Sequence, residues 1–338
     1  MITYILKRVL LFIPTLLAIT IVTFAISRLA PGDPAMTKLG GMGGDQLADR
    51  GVTEELVKKI RQQWNLDKPI PVQYWLWLKG LLTLDLGKSF KDNAPVTDKI
   101  MERLPITLLM SVISVFLAYL IAVPIGIYSA THPGSIPDRI MSTTLFGLYS
   151  LPNFWIGTLA IIFFAQPDYG MNWFPSFGLY SNDFNESWPF WMKAQDLLWH
   201  LMLPMIIYTY TSFAFISRQM RGAMLEVVRQ DYIRTARAKG LSERVVILKH
   251  ALRNSLIPII TLLAGILPSL IGGSIIVETI FSIPGLGQLA FQALLERDYP
   301  IIMGELTIAA FLTMLGVLLS DILYSVVDPR IAFSKKGG

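Results

Sequence analysis

The 338-residue chain contains no cysteine, which removes disulfide frameworks, zinc–thiolate centres, iron–sulfur clusters and thiol nucleophiles together. Charge is also scarce. Only 16% of the residues are Asp, Glu, Lys or Arg, while 53% are hydrophobic, and the mean hydropathy is +0.52. Soluble domains carry about 25% charged residues, so this chain is short of the charge a water-facing surface needs. Disorder is excluded as well, because disordered chains are poor in hydrophobic residues. The three histidines, His132, His200 and His250, are scattered and lack the H-E-x-x-H spacing of a metal site. No G-x-S-x-G elbow is present. Gly87-Lys88-Ser89 ends like a phosphate loop, but the glycine that loop requires five residues earlier is Leu82. The sequence therefore offers no catalytic residue, no metal site and no cofactor site.

What it has is long apolar runs. A helix crossing the hydrocarbon core needs about 20 mostly apolar residues, and six segments qualify: Val9–Leu29, Leu104–Ala130, Ile140–Ala165, Leu197–Ser217, Leu256–Val277 and Ile301–Val327. The sixth carries Glu305 and Asp321 towards its ends, where a charge costs less than at the centre. The first run follows Lys7 and Arg8 as a signal peptide would. It is longer than a signal core, however, and Arg28 spoils the cleavage pattern before Ala30. It is expected to be retained as a span. The fold expected is an all-α polytopic membrane protein with six spans.

Orientation follows from Lys and Arg in the short loops. With the N-terminus inside, loop 218–255 is cytoplasmic and holds nine basic residues: Arg218, Arg221, Arg229, Arg234, Arg237, Lys239, Arg244, Lys249 and Arg253. The outer loops 166–196 and 282–300 hold one each, Lys193 and Arg297. Both termini are therefore expected in the cytoplasm. The basic loop also accounts for a net charge of +5, so nucleic acid is not needed as a partner. Membrane lipid is the expected surroundings.

The organisation expected is a tail and span over 1–29, an extracytoplasmic segment over 30–103, a permease domain over 104–327 and a cytoplasmic tail over 328–338. The outer segment is too long for a bare loop. Thr53 can cap a helix that opens with Glu54 and Glu55, with Leu56, Ile60 and Trp64 spaced along it. Pro69 and Pro71 precede a second helix over Gln73–Leu84, where Trp75, Leu78 and Leu82 recur on one face. Trp64, Tyr74, Trp75 and Trp77 suit a lid at the membrane interface. Packing on the bundle is the plain alternative.

Ionisable residues inside spans mark ion or proton relays, and here they are confined to span ends, which disfavours a proton- or sodium-coupled carrier. Proline and small residues interrupt the spans instead: Pro124 and Gly126, Pro152 and Gly157, Pro204. The fifth span has the densest run, Gly265, Pro268, Ser269, Gly272, Gly273 and Ser274. Close helix packing explains such a run; a conduit wall lined by Ser269, Gly272, Gly273 and Ser274 explains it equally. Glu278 at the outer end reads as a partner for a loop amide rather than a solute ligand, with Pro284, Gly285 and Gly287 in the outer gate or loop.

Loop 218–255 is punctuated. Asp231 can cap a short helix over Tyr232–Lys239, Gly240 supplies a left-handed residue to end it, and Ser242 can cap a second helix. A helix, a glycine turn and a helix between two spans suit a docking knob for a cytoplasmic protein.

Asp231-Tyr-Ile-Arg-Thr-Ala-Arg-Ala-Lys-Gly-Leu-Ser242 followed by Lys249-His-Ala-Leu-Arg-Asn254 resembles the coupling loop of dipeptide/oligopeptide ABC importer permeases, B-type subunit. Pro31–Pro34, Asp85–Ser89, Ser150–Trp155, Glu278–Gly287, Arg297–Pro300 and Asp328–Arg330 follow in that family's order. In the broader permease pattern, Glu-Ala-Ala precedes a glycine by four residues. Here Ala236 and Gly240 match, but Arg234 replaces the acidic residue. The resemblance implies the five-span MetI-like permease core preceded by one N-terminal span. It implies a heterodimer with a second permease, two cytoplasmic ATPases that bind ATP and Mg, and an extracytoplasmic binding protein in a bacterial inner membrane. It places ATPase coupling at Asp231, Tyr232, Ala236, Gly240, Leu241, His250 and Asn254. Peptides are the first substrate expected; nickel chelates, glutathione and oligosaccharides are carried by other relatives. A membrane enzyme would need a catalytic constellation, and a self-contained channel or carrier would not need the docking loop.

Overall fold

The computed structural model describes residues 2–29, 35, 54–263 and 273–327. The described residues are helical apart from turns and one isolated bridge between Lys88 and Pro95. Helix α1 (Ile2–Leu29) is followed by two short helices, α2 (Glu54–Gln63) and α3 (Ile70–Leu82). Then come α4 (Val96–Thr131), α5 (Ile136–Ser150) and α6 (Asn153–Ala160), the last continuing as a π-helical turn, Ile161–Ala165. Helix α7 (Phe190–Val228) leads to α8 (Asp231–Ala238). A short α9 (Glu243–Val245) runs through a π-helical stretch, Val246–Ala251, into α10 (Leu252–Leu263). The chain ends with α11 (Ile275–Ile280), α12 (Leu286–Glu296) and α13 (Tyr299–Val327).

Among the described residues, four helices are long and apolar enough to cross a membrane, in α1, α4, α7 and α13, and five if α5 and α6 together make one span. The expected third span is not straight: α5 and α6 meet at 98°. Pro152 lacks the N–H that would continue the helix and forces its predecessor out of the helical region; Leu151 is extended, at φ −92° and ψ 131°. The Tyr210 hydroxyl of α7 lies 2.9 Å from both the Leu151 carbonyl and Asn153 Oδ1, so a neighbouring helix holds the break. The middle of the expected fifth span, with Gly265, Pro268, Ser269 and Gly272, lies outside the described residues, as do Thr53, the motifs at 31–34 and 328–330, and the tail.

Two helices overrun their expected limits. At 1.5 Å per residue, α4 is about 54 Å long and α7 about 58 Å, against a hydrocarbon core of about 30 Å. The first eleven residues of loop 218–255 are therefore the last three turns of α7 rather than loop. The two helices pack along their length. At Gly126 of α4 a Cβ would fall 2.6 Å from Met220 Cβ and 2.8 Å from the Ser217 carbonyl of α7, so only glycine allows this approach. Met110, Leu201, Ile207, Tyr210, Val277 and Phe281 form the main core beside them.

In the segment after α1 the described residues from 54 onward form α2 and α3, with one difference from expectation. Pro69 and Pro71 start α3 instead of preceding it, because proline suits the first helical turn. Its inward side carries Gln73, Tyr74 and Trp77, with Phe24 of α1 against both aromatic rings, while Trp75 and Leu82 face outward.

Candidate functional site

The first candidate lies at the end of α7. Its capping differs from expectation. Gln230 has the extended backbone of a cap residue, so Asp231 is the first helical residue and caps nothing. Its carboxylate lies 3.5 Å from Arg234 on the exposed side and still suits the positive end of the helix. Ser242 holds the cap position of α9, but through its carbonyl, which accepts from Val245 and Val246 at 2.9 and 3.0 Å; its side chain makes no capping bond.

Gly240 is where the spacing placed it, with φ +78°. A Cβ there would meet nothing within 4 Å, so backbone conformation rather than space requires glycine. Arg237 and Glu243 clasp the turn in a two-pronged pair, Nε to Oε2 at 3.1 Å and Nη2 to Oε1 at 2.7 Å. The guanidinium donors hold the Glu243 carboxyl below its usual range. Tyr232 and Asn254, 22 positions apart, are brought together, with the amide donating to the hydroxyl at 2.6 Å. Ile233 and Ala236 are buried against Val246, Ile247 and Ala251 and against Met220 and Met224 of α7. His250 is half-buried in the π-helical stretch. The outer face of the knob is mixed: Tyr232, Leu241 and Leu248 are 42%, 41% and 47% exposed, among the exposed basic residues Arg234, Lys239, Arg244 and Lys249.

Sequence reasoning missed the fastening beneath this knob. Asp138 in α5 accepts from the Gly134 N–H at 2.8 Å, from Arg221 of α7 at 3.1 Å and from the Ser129 hydroxyl. It ties the α4–α5 turn to the α7 extension. Nothing in the local sequence marks that pair.

The second candidate sits near the other end of α4, about 35 Å away by helical rise from Ala130 to Thr107. Glu278 is buried and accepts from the N–H groups of Gln288 at 2.8 Å and Ser274 at 3.3 Å. The Thr107 hydroxyl also donates to it, at 3.3 Å, while accepting from the Leu286 N–H at 2.8 Å. Glycines make the room. A Cβ on Gly285 would fall 2.5 Å from the carboxylate and 2.6 Å from Thr107 Oγ1, and one on Gly287 would fall 2.7 Å from the Ile275 nitrogen. Gly273, at φ +58°, also abuts Glu278, and Ser274 caps α11 by accepting from the Val277 N–H. Gly273 and Ser274 thus join the Glu278 cluster. Pro284, next to Gly285, lines a cavity of about 390 Å³ with Glu102, Arg103 and Tyr180.

Two motifs noted separately in the sequence also meet. Buried Asp298 accepts from the Ser89 hydroxyl and from the Phe90 N–H at 2.9 Å, and Phe90 stacks on Trp64 at 3.9 Å. Asp85–Ser89 and Arg297–Pro300 are therefore partners that fasten α2 and α3 to the start of α13.

The described residues are those of a helical membrane protein with a helix–turn–helix beyond the end of α7. Residues 122–333 match the family described as binding-protein-dependent transport system inner membrane component, and residues 1–111 match its N-terminal counterpart; the chain belongs to this family. The oligopeptide transport system permease protein AppB of Bacillus subtilis (strain 168) is 40% identical over 336 residues, covering 98% of this chain and 100% of its own. The dipeptide transport system permease protein DppB of Escherichia coli (strain K12) is 36% identical over 351 residues, covering 99% and 100%. The peptidoglycan transport system permease protein YejB of Agrobacterium fabrum (strain C58 / ATCC 33970) is 33% identical over 363 residues, covering 98% and 99%. Among solved structures, the inward-facing MetNI methionine ABC transporter aligns with a TM-score of 0.49 at 20% identity, covering 68% of this chain and 96% of that one.

Proposed function

We propose that the chain is the permease subunit of an ATP-driven importer of di- and oligopeptides. It forms half of the translocation path beside a second, similar permease. An extracytoplasmic binding protein delivers the peptide, and two cytoplasmic ATPases, which bind ATP and Mg, supply the energy. The observation that carries this reading is full-length similarity to permeases named for oligopeptide and dipeptide transport. The knob around Gly240 supports the coupling part of it: a helix pair fastened to α7, and through Arg221 and Asp138 to α5, can pass an ATPase movement to several spans. Asp231, Tyr232, Ala236, Gly240, Leu241, His250 and Asn254 make up this coupling element. The span count is six, with both termini in the cytoplasm. Ser269 and Gly272 border the conduit, with Gly273 and Ser274 at its outer limit. Glu278, Gly285 and Gly287, with Pro284 beside them, shape the outer loop.

The test is ATP-dependent uptake of labelled di- and oligopeptides into vesicles holding the whole complex and its binding protein. Saturable peptide uptake that nickel chelates, glutathione and oligosaccharides do not compete for supports the reading. Uptake of one of those solutes in place of peptide overturns the substrate. Gly272→Trp should block uptake in an assembled complex if that run borders the conduit.

A further inference from the structure

Between the C-terminal end of α1, the α2–α3 segment and the start of α13 lies a cavity of about 430 Å³, within the range of small-molecule sites, about 300–1,000 Å³. Three of its polar atoms have no use among the described residues. Arg28 Nε and Trp77 Nε1 are buried donors, and Gln73 Oε1 is a buried acceptor, with no hydrogen-bond partner among the described residues. Each is held in place by other contacts. The Gln73 amide nitrogen donates to the Lys68 carbonyl at 2.6 Å, leaving its oxygen over. Phe24 packs on both donors, 5.1 Å from its ring centroid to the Arg28 guanidinium and 6.0 Å to the Trp77 ring.

An unpaired buried polar group costs about 1–3 kcal/mol, so three around one cavity mark a place where a polar ligand completes the set. Two donors, one of them a guanidinium, select an anion; at the wall Lys88 and Asp85 carry opposite charges, so the selection rests on Arg28 and Trp77. The Gln73 oxygen selects a ligand that also carries a donor hydrogen close to its anionic group.

The surroundings identify the source of that anion. On one side α1 exposes Leu17, Ile21 and Val22, and on the other α3 exposes Ile70, Val72 and Trp75. A small water-soluble anion has no use for such surfaces; acyl chains do. We propose that the cavity holds a phospholipid headgroup, its phosphate on Arg28 and Trp77 and its amine or hydroxyl on Gln73. The lipid then links the first span to the fastened segment after it. The site depends on the apolar spans and not on which solute the complex carries.

Native mass spectrometry of the delipidated complex tests this, with phosphatidylethanolamine and phosphatidylglycerol as probes and excess inorganic phosphate as competitor. Wild type should retain phospholipid, and phosphate should not displace it. Trp77→Phe keeps the ring on Phe24 and removes one N–H, so retention should fall about tenfold, the loss of one buried hydrogen bond. Arg28→Gln should abolish retention. Without lipid, Trp77→Phe should melt no lower than wild type, because it removes an unpaired donor. Equal retention in wild type and Trp77→Phe overturns the proposal, as does displacement by inorganic phosphate, which would make the site one for free phosphate. Should Arg28→Gln not assemble, Trp77→Phe alone decides.

Discussion

The knob around Gly240 and the cluster around Glu278 handle polar groups in opposite ways. The knob leaves its pairs in water: Arg237–Glu243 and Tyr232–Asn254 are exposed, and the side chains buried beneath them are apolar. The Glu278 cluster buries a carboxylate and surrounds it with N–H groups, a hydroxyl and glycines. Exposed ion pairs contribute about 0.2–1 kcal/mol, whereas removing one partner from a buried set leaves desolvated groups unpaired. The knob is thus built to tolerate change at its surface. The cluster is built to hold one geometry.

Substitutions test that contrast, and the largest effect is expected at Glu278. Glu278→Ala strands the Gln288 and Ser274 N–H groups and should destabilise the protein by about 2–6 kcal/mol, at about 1–3 kcal/mol for each buried group. Thermal unfolding of the purified complex should fall sharply. An unchanged midpoint would mean water already serves those amides.

Gly285→Ala comes next, since its Cβ would press on Glu278 and Thr107. Overpacking of this kind costs about 1–3 kcal/mol, and the pair Gly285→Ala with Thr107→Ser should not recover it fully. Full recovery would show that the loop yields.

Gly240→Val reverses the logic, because the space there is open. The cost is conformational, about 1–2 kcal/mol for the left-handed backbone. Protein levels should stay near normal while ATP hydrolysis and uptake separate. Gly240→Asn, which tolerates that φ better, should retain more uptake than Gly240→Val; equal loss in both would argue that the turn needs more than its backbone angle.

The smallest effect is expected at the Arg237–Glu243 clasp. Its folded-state Glu243 pKa is depressed, so the stabilisation is present above the ordinary Glu range and lost as pH falls through the folded value. Arg237→Gln should flatten that acid dependence of unfolding and change little at neutral pH. A large effect at neutral pH would make the clasp structural in the way Glu278 is.

The same contrast explains what could be read from the sequence. Gly240 and the helices around it follow from local punctuation, and the long apolar runs follow from the cost of burying charge. Cap positions shifted by a residue at Asp231 because local pattern does not fix which backbone is extended. Glu278 was legible as a partner for an amide, but Thr107 lies 171 positions from it, and no local rule links them. Asp138 and Arg221, 83 positions apart, were hidden for the same reason. The break at Pro152 was visible as a proline, while its 98° angle depends on Tyr210 from another helix.

The proposed function requires the knob to dock on a cytoplasmic ATPase. The absence of native cysteine allows a clean measurement: Leu241→Cys, carrying a thiol-attached photo-crosslinker, illuminated in membranes that contain the whole complex. The expected result is a crosslinked product joining this chain to a cytoplasmic ATPase subunit, with a yield that changes when ATP is added. Crosslinking to lipid alone, with the ATPases present and active, would contradict it.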